Sequence, residues 1–204
     1  VDAVTGNLLW RFNTVRFAEV SGAVNGDIEL VQANNNFTLK GLPYINVRVT
    51  SATDTTTATG DVMGIYQVTT PDSTGRSARA RLAGPFGRVF NVMNPQVPTT
   101  PTLTLPLPDQ GSTFQAFRFD DTNSLASERD AYYHAMVAHD YIQSVEPGFH
   151  LLDYPMPIAV EVAGSCNAFW DGFGVNFFVE DGRCTNTGRS STVVLHEYGH
   201  GITD

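Results

Sequence analysis

The sequence is poor in three things. It has two cysteines, Cys166 and Cys184, and a single lysine, Lys40, against eleven arginines. No histidine or cysteine occurs before His134, so the first two thirds of the chain offer no imidazole or thiolate for metal ligation or catalysis. Charged residues make up only 16%, and the net charge is −9, which argues against nucleic acid and anionic membranes as partners. No apolar run approaches the ~20 residues of a transmembrane helix. There is neither an initiating methionine nor a signal peptide, so the sequence reads as a processed product or a fragment. What is present is 42% apolar residue, enough for a buried core, with abundant Thr, Gly and Asn. That mix predicts a β-rich, secreted, extracellular protein of one or two domains in 204 residues.

The order of signals suggests three parts: 1–19, 20–108 and 109–204. In the first, Thr5-Gly6 marks a hairpin turn, and Leu8, Leu9, Trp10 and Phe12 supply a strand. In the second, Ile45, Val47 and Val49 alternate with polar residues, as do Ala78, Ala80 and Leu82. Asn25-Gly26, Thr59-Gly60-Asp61 and Ser73-Thr74-Gly75 read as turns. Short strands at this spacing predict an all-β sandwich. Pro95, Pro98, Pro101, Pro106 and Pro108 read as a stiff, extended linker.

The third part changes period. Residues 124–145 have helical spacing, with Leu125, Ala131, Ala135, Ala138, Tyr141 and Ile142 near one face, cap candidates at 122–124, and Pro147-Gly148 as the stop. Strands follow at 158–162 and 175–179. Ser190 or Ser191 then caps a final helix that runs to Asp204 without a stop signal. Helix, strands and helix after an all-β module predict an α+β domain.

That last helix carries His196-Glu197-Tyr198-Gly199-His200. Residues four apart share a helix face, so two imidazoles can hold one zinc ion, with Glu197 beside it as general base. A catalytic zinc needs a third protein ligand and an open position. The alternative is two surface histidines on an ordinary helix, against which stands the apolar lead-in Val193-Val194-Leu195. His134, His139 and His150 read as structural or surface residues. Cys166 and Cys184 suggest a disulfide, with a pair of buried free thiols as the alternative.

Asn167-Ala168-Phe169-Trp170-Asp171-Gly172, a strand, the HExxH helix and His200-Gly201-Ile202-Thr203-Asp204 together resemble the thermolysin-like zinc metallopeptidases. His-Glu-Tyr-Gly-His-Gly, Ala131-Tyr132-Tyr133-His134 and His139-Asp140-Tyr141 are similar to the fungalysin-like branch. The resemblance covers about residues 125–204 and implies the N-terminal lobe of a zincin, acting as an endopeptidase on a protein or peptide substrate. It implies that Asn167 and Ala168 hold the extended substrate with Trp170 beside them; Phe169 is read as core packing. It also implies that the third zinc ligand is a glutamate beyond residue 204. Asp171, Glu180 and Asp181 do not match that pattern and are not assigned as ligands. The HExxH helix is then expected to be covered by a C-terminal lobe, by another chain or in a homo-oligomer. Two accessory resemblances precede this. Residues 2–9 are similar to the closing strands of secreted metallopeptidase propeptides, an ordinary β-hairpin being the other reading. Leu42 to Val49 with Gly64 to Val68 are similar to carboxypeptidase-regulatory-like sandwich domains. A second function, from a different class, is a non-catalytic fragment acting in assembly by strand addition.

Overall fold

The computed structural model describes Thr5 and residues 16–94 and 96–204. The expected hairpin over the first residues therefore lies outside the described residues, apart from Thr5 and its last two positions. Among those described, the protein is mostly β-sheet, with three sheets and two α-helices.

The first sheet is organised by one long strand, β1 (Phe17–Ile28). Its alternate residues Ala18, Val20, Val24 and Ile28 are buried. Along its length it pairs antiparallel with β2 (Thr38–Gly41) and later β5 (Ile65–Pro71), and parallel with β9 (Thr113–Phe114) and β10 (Phe117–Phe119). Asn25-Gly26 lies inside β1 and is not a turn. Gly26 faces inward, where an added Cβ would stand 3.1 Å from Leu42, so this glycine permits close packing within a strand.

The second sheet is antiparallel, in the order β4 (Thr55–Thr59), β3 (Asn46–Thr50), β6 (Ser77–Arg81), β8 (Thr102–Pro106). The expected proline linker is thus largely structure: Thr102–Pro106 pairs with β6, and the Pro101 carbonyl accepts the Leu82 N–H at 3.0 Å. The reason is position. β8 lies at the sheet edge, where a proline without an N–H costs no ladder bond.

The third sheet runs β12 (Ala168–Trp170), β13 (Val175–Phe178), β11 (Met156–Val162), β7 (Gly87–Asn91). β7, β11 and β13 are mutually parallel, and β12 is an antiparallel edge strand. The expected division at 108/109 separates strands that share sheets: β7 pairs with β11, and β1 pairs with β9 and β10. Buried residues of all three sheets and both helices form one contiguous core.

Helix α1 (Ala126–Val145) begins two residues later than expected. Residues 122–124 fold into a turn on Asp120, and the Leu125 N–H donates instead to Glu128 Oε2 at 2.6 Å. Ala131, Ala135 and Ala138 are buried as the spacing predicts, whereas Tyr141 is 65% exposed and Leu125 41%. The buried face also carries Glu128, Arg129, Asp130, His134 and His139, each with a polar partner.

One polar network orients the second helix, α2 (Ser191–Thr203). Glu29, fully buried just after β1, accepts the backbone N–H groups of Asn34 and Asn35 and a fork from Arg189 at 2.7 and 2.9 Å. Burial works against its charge, but these donors hold its carboxyl below the usual range. Arg189 ends a short 3₁₀ turn (Thr187–Arg189) that leads into α2. Ser191 anchors the helix start through its N–H and hydroxyl to the Val31 carbonyl, at 3.0 and 3.1 Å. The expected serine side-chain cap is therefore not made: Ser190 occupies the cap position, with its hydroxyl on Thr192.

Asp130 sits in the same network. Its Oδ1 accepts the Glu29 N–H at 3.0 Å, while Oδ2 is buried without a partner. Burial pushes its pKa up to about 8, and the neighbouring Glu29 charge adds to this. The folded state thus holds a proton that the unfolded chain releases near pH 4. Stability from this group is full below about pH 4 and is lost as pH rises towards 8, by on the order of a few kcal/mol. Asp130→Asn keeps the acceptor and places a donor at the orphaned position. The variant is expected to be more stable than wild type at pH 8, with a flatter melting profile between pH 5 and 8. An unchanged pH slope would contradict the assignment.

Candidate metal centre

Helix α2 divides its residues cleanly. Val194 and Tyr198, four apart, are buried in the core, at 0% and 2% exposure. His196 and His200 are exposed, and Glu197 lines the same cleft although it is only 6% exposed. The two imidazole Nε2 atoms stand 3.2 Å apart, with ring centroids at 4.7 Å and planes at 88°. A hydrogen bond between them needs one Nε2 protonated and the other not. The spacing also fits a shared metal: two nitrogens ~2.0–2.1 Å from a tetrahedral zinc are about 3.3 Å apart. Glu197 accepts no hydrogen bond from the described residues, so its carboxylate is left to the cleft.

The cleft has a volume of about 390 Å³ and is bounded on one side by α2 and on the other by residues 167–170. This places Asn167, Ala168 and Trp170 together with the His196–Glu197–His200 group. β12 is the free edge of its sheet, and its bonding pattern shows which backbone groups face outward. The Asn167 carbonyl accepts the Phe178 N–H, and the Asp171 N–H donates to the Gly174 carbonyl. In an antiparallel pair such residues alternate, so the backbone groups of Ala168 and Trp170 face the unpaired edge. The Asn167 carbonyl also accepts the Thr187 hydroxyl at 2.9 Å, which ties this edge to the turn that precedes α2.

Phe169 departs from its expected role as core packing. It is 39% exposed, lines the cleft, and meets Phe178 edge-on at 5.9 Å. Strand alternation explains the correction: Ala168 takes the buried position, at 7%, and its neighbour points the other way. Two contacts escaped the sequence reading. The Trp170 ring packs on Gly201, where an added Cβ would meet it at 3.0–3.2 Å, and its Nε1 donates to Asp204 Oδ2 at 3.0 Å. The signal was a glycine directly after the second histidine, a residue type that weakens a helix interior.

Other candidate residues have structural work. Asp171 accepts the Phe173 and Gly174 N–H groups and the Asn176 amide, building the β12–β13 turn. Asp181 accepts from Arg183 and Cys184 N–H. Glu180 is exposed. His134 Nε2 donates to the Glu29 carbonyl at 2.8 Å, and His139 and His150 both contact Asp153. Among the described residues, no group of three or more His, Cys, Asp or Glu side chains could hold a metal ion.

Cys166 and Cys184 form a disulfide. With a sequence separation of 18, the cross-link is worth about 3 kcal/mol in the chain-entropy model. It ties the start of the cleft edge to the loop before α2. Such a bond is compatible with an extracellular location. Among the described residues, no helix is long and apolar enough to cross a membrane. Comparison of the sequence with models of protein families found none that matches, and comparison with curated proteins found no match either.

Proposed function

We propose that this chain provides the metal-binding helix and the substrate edge of a secreted zinc endopeptidase of the thermolysin-like or fungalysin-like kind. The observation that carries this reading is the convergence of His196 and His200 Nε2 atoms at 3.2 Å, beside Glu197, in a cleft bordered by a free strand edge. In this reading the first two sheets contribute a regulatory-like β-sandwich, and the third sheet, which includes β7, forms with α1 and α2 the N-terminal lobe of a zincin.

His196 and His200 would hold the zinc, with a third protein ligand supplied from outside this pair. A zinc ion there lowers the pKa of a water to about 7 and polarises a carbonyl. The protein's own residues do the rest. An extended peptide adds to β12, bonding the outward backbone groups of Ala168 and Trp170, and the exposed Asn167 amide holds it from the side. Glu197 takes a proton from the attacking water as its oxygen bonds to the peptide carbonyl carbon. The C–N bond then breaks, and Glu197 returns that proton to the leaving nitrogen.

An apolar groove of about 450 Å³ between α1 and α2, lined by Val137, Tyr141, Leu195 and Ile202, fits coverage of this helix by further protein. The same β12 edge supports the second reading, assembly by strand addition without catalysis. The discriminating experiment is hydrolysis of a quenched-fluorescence peptide by wild type and Glu197→Gln, each in a form of the protein that includes the third ligand: the peptidase reading requires chelator-sensitive turnover that the substitution removes.

A further inference from the structure

Four of the protein's twelve lysine and arginine side chains line one pocket of about 270 Å³, far from neutral ground for a chain of net charge −9. They are Arg48 on β3, Arg79 and Arg81 on β6, and Arg88 on β7. Arg48 and Arg79 are directly opposed across the β3–β6 ladder, and Arg81 follows on the same face. Like charges placed opposite one another in a sheet are destabilising unless something between them offsets the repulsion.

Nothing among the described residues does so. Arg76, Arg118, Arg129 and Arg189 each have a carboxylate within ion-pair distance. Among the described residues none of the four pocket arginines has one, and the guanidinium groups of Arg48, Arg79 and Arg81 donate no hydrogen bond to them. The Arg81 Nε is buried without a partner. Arg88 is held from the side, its Nε on the Thr100 hydroxyl at 3.2 Å and its guanidinium over the Phe90 ring at 4.5 Å, which leaves both Nη groups unused. The remaining polar lining is Thr57 and Asn46. Asn46 Oδ1 already accepts the Thr59 hydroxyl at 2.8 Å, so its free capacity is the donating amide. The pocket therefore offers positive charge and donors, with no acidic residue in its wall.

We infer that this pocket binds a compact tetrahedral oxyanion of the phosphate or sulfate type, free or as the monoester of a small molecule. Arginine forks match such oxygens two at a time. The pocket's size and the chain's negative charge disfavour an extended polyanion. Because the arginines come from two different sheets, a bound oxyanion would also bridge them. The inference is independent of the peptidase reading.

The test is calorimetry and thermal melting of the whole chain with inorganic phosphate, sulfate or glucose 6-phosphate, against sodium chloride at matched ionic strength. Saturable binding of one anion per chain is expected, with a raised melting temperature. Arg79→Gln and Arg81→Gln should each weaken it about tenfold or more. Without added anion, Arg79→Gln should melt no lower than wild type, because it relieves the opposed pair. Tighter binding of the ester than of inorganic phosphate would assign the site to a phosphorylated small molecule, and the reverse to the free ion. An effect no larger than that of chloride, or unchanged affinity in the Arg79→Gln/Arg81→Gln double variant, would overturn the inference.

Discussion

Glu197→Gln is expected to lower peptide hydrolysis by about 10²–10⁴-fold, the usual contribution of a positioned general base. The substitution keeps the shape of the side chain and its place one residue after His196. It removes only the ability to accept a proton. Glu197 is suited to that role by three observations: it lies in the cleft wall, it is largely buried, and no described residue occupies its carboxylate. Zinc content should be unchanged, since Glu197 is not one of the paired ligands. The measurement is turnover alongside metal content, in a form of the protein that includes the third ligand. Turnover within a few-fold of wild type would remove Glu197 from the mechanism.

A polypeptide of residues 1–204 by itself is expected to show no measurable peptidase activity, even with added zinc. Catalytic zinc sites use three protein ligands, and His196 and His200 are two. No third ligating side chain joins them in a group among the described residues. Loss of fixed geometry between water and peptide costs about 10²-fold or more. The assay is the same quenched-fluorescence peptide. Chelator-sensitive turnover that vanishes in Glu197→Gln would show that the third ligand lies within these residues or in a second copy of the chain.

Much of the site was legible because its signals are local. The i, i+4 histidines and a cysteine pair flanking one segment depend on short-range geometry, whereas the alternation that buries Ala168 and exposes Phe169 was missed. The features that escaped are long-range. Gly26 is a turn residue by composition, yet it lies inside β1, where Leu42 packs closely against it from 16 residues away. The prolines near residue 100 read as a linker because nothing local reveals that β6 offers them an edge. Strands from both sides of residue 108 interleave, since β7 finds its parallel partner only at β11. Neither the Glu29–Arg189 fork, spanning 160 residues, nor the seat of Trp170 on Gly201 has a sequence signature, yet both help position α2.

Zinc binding tests the central claim most directly, because it asks whether the His196–His200 pair is a metal site or only a hydrogen-bonded pair. Calorimetric titration of the chain with zinc should show one ion bound, with the modest affinity of a two-histidine site. Binding should be lost in both His196→Ala and His200→Ala, and kept in His150→Ala, which alters an exposed histidine outside the cleft. Zinc bound with the same stoichiometry and affinity in His196→Ala and in wild type would contradict the account.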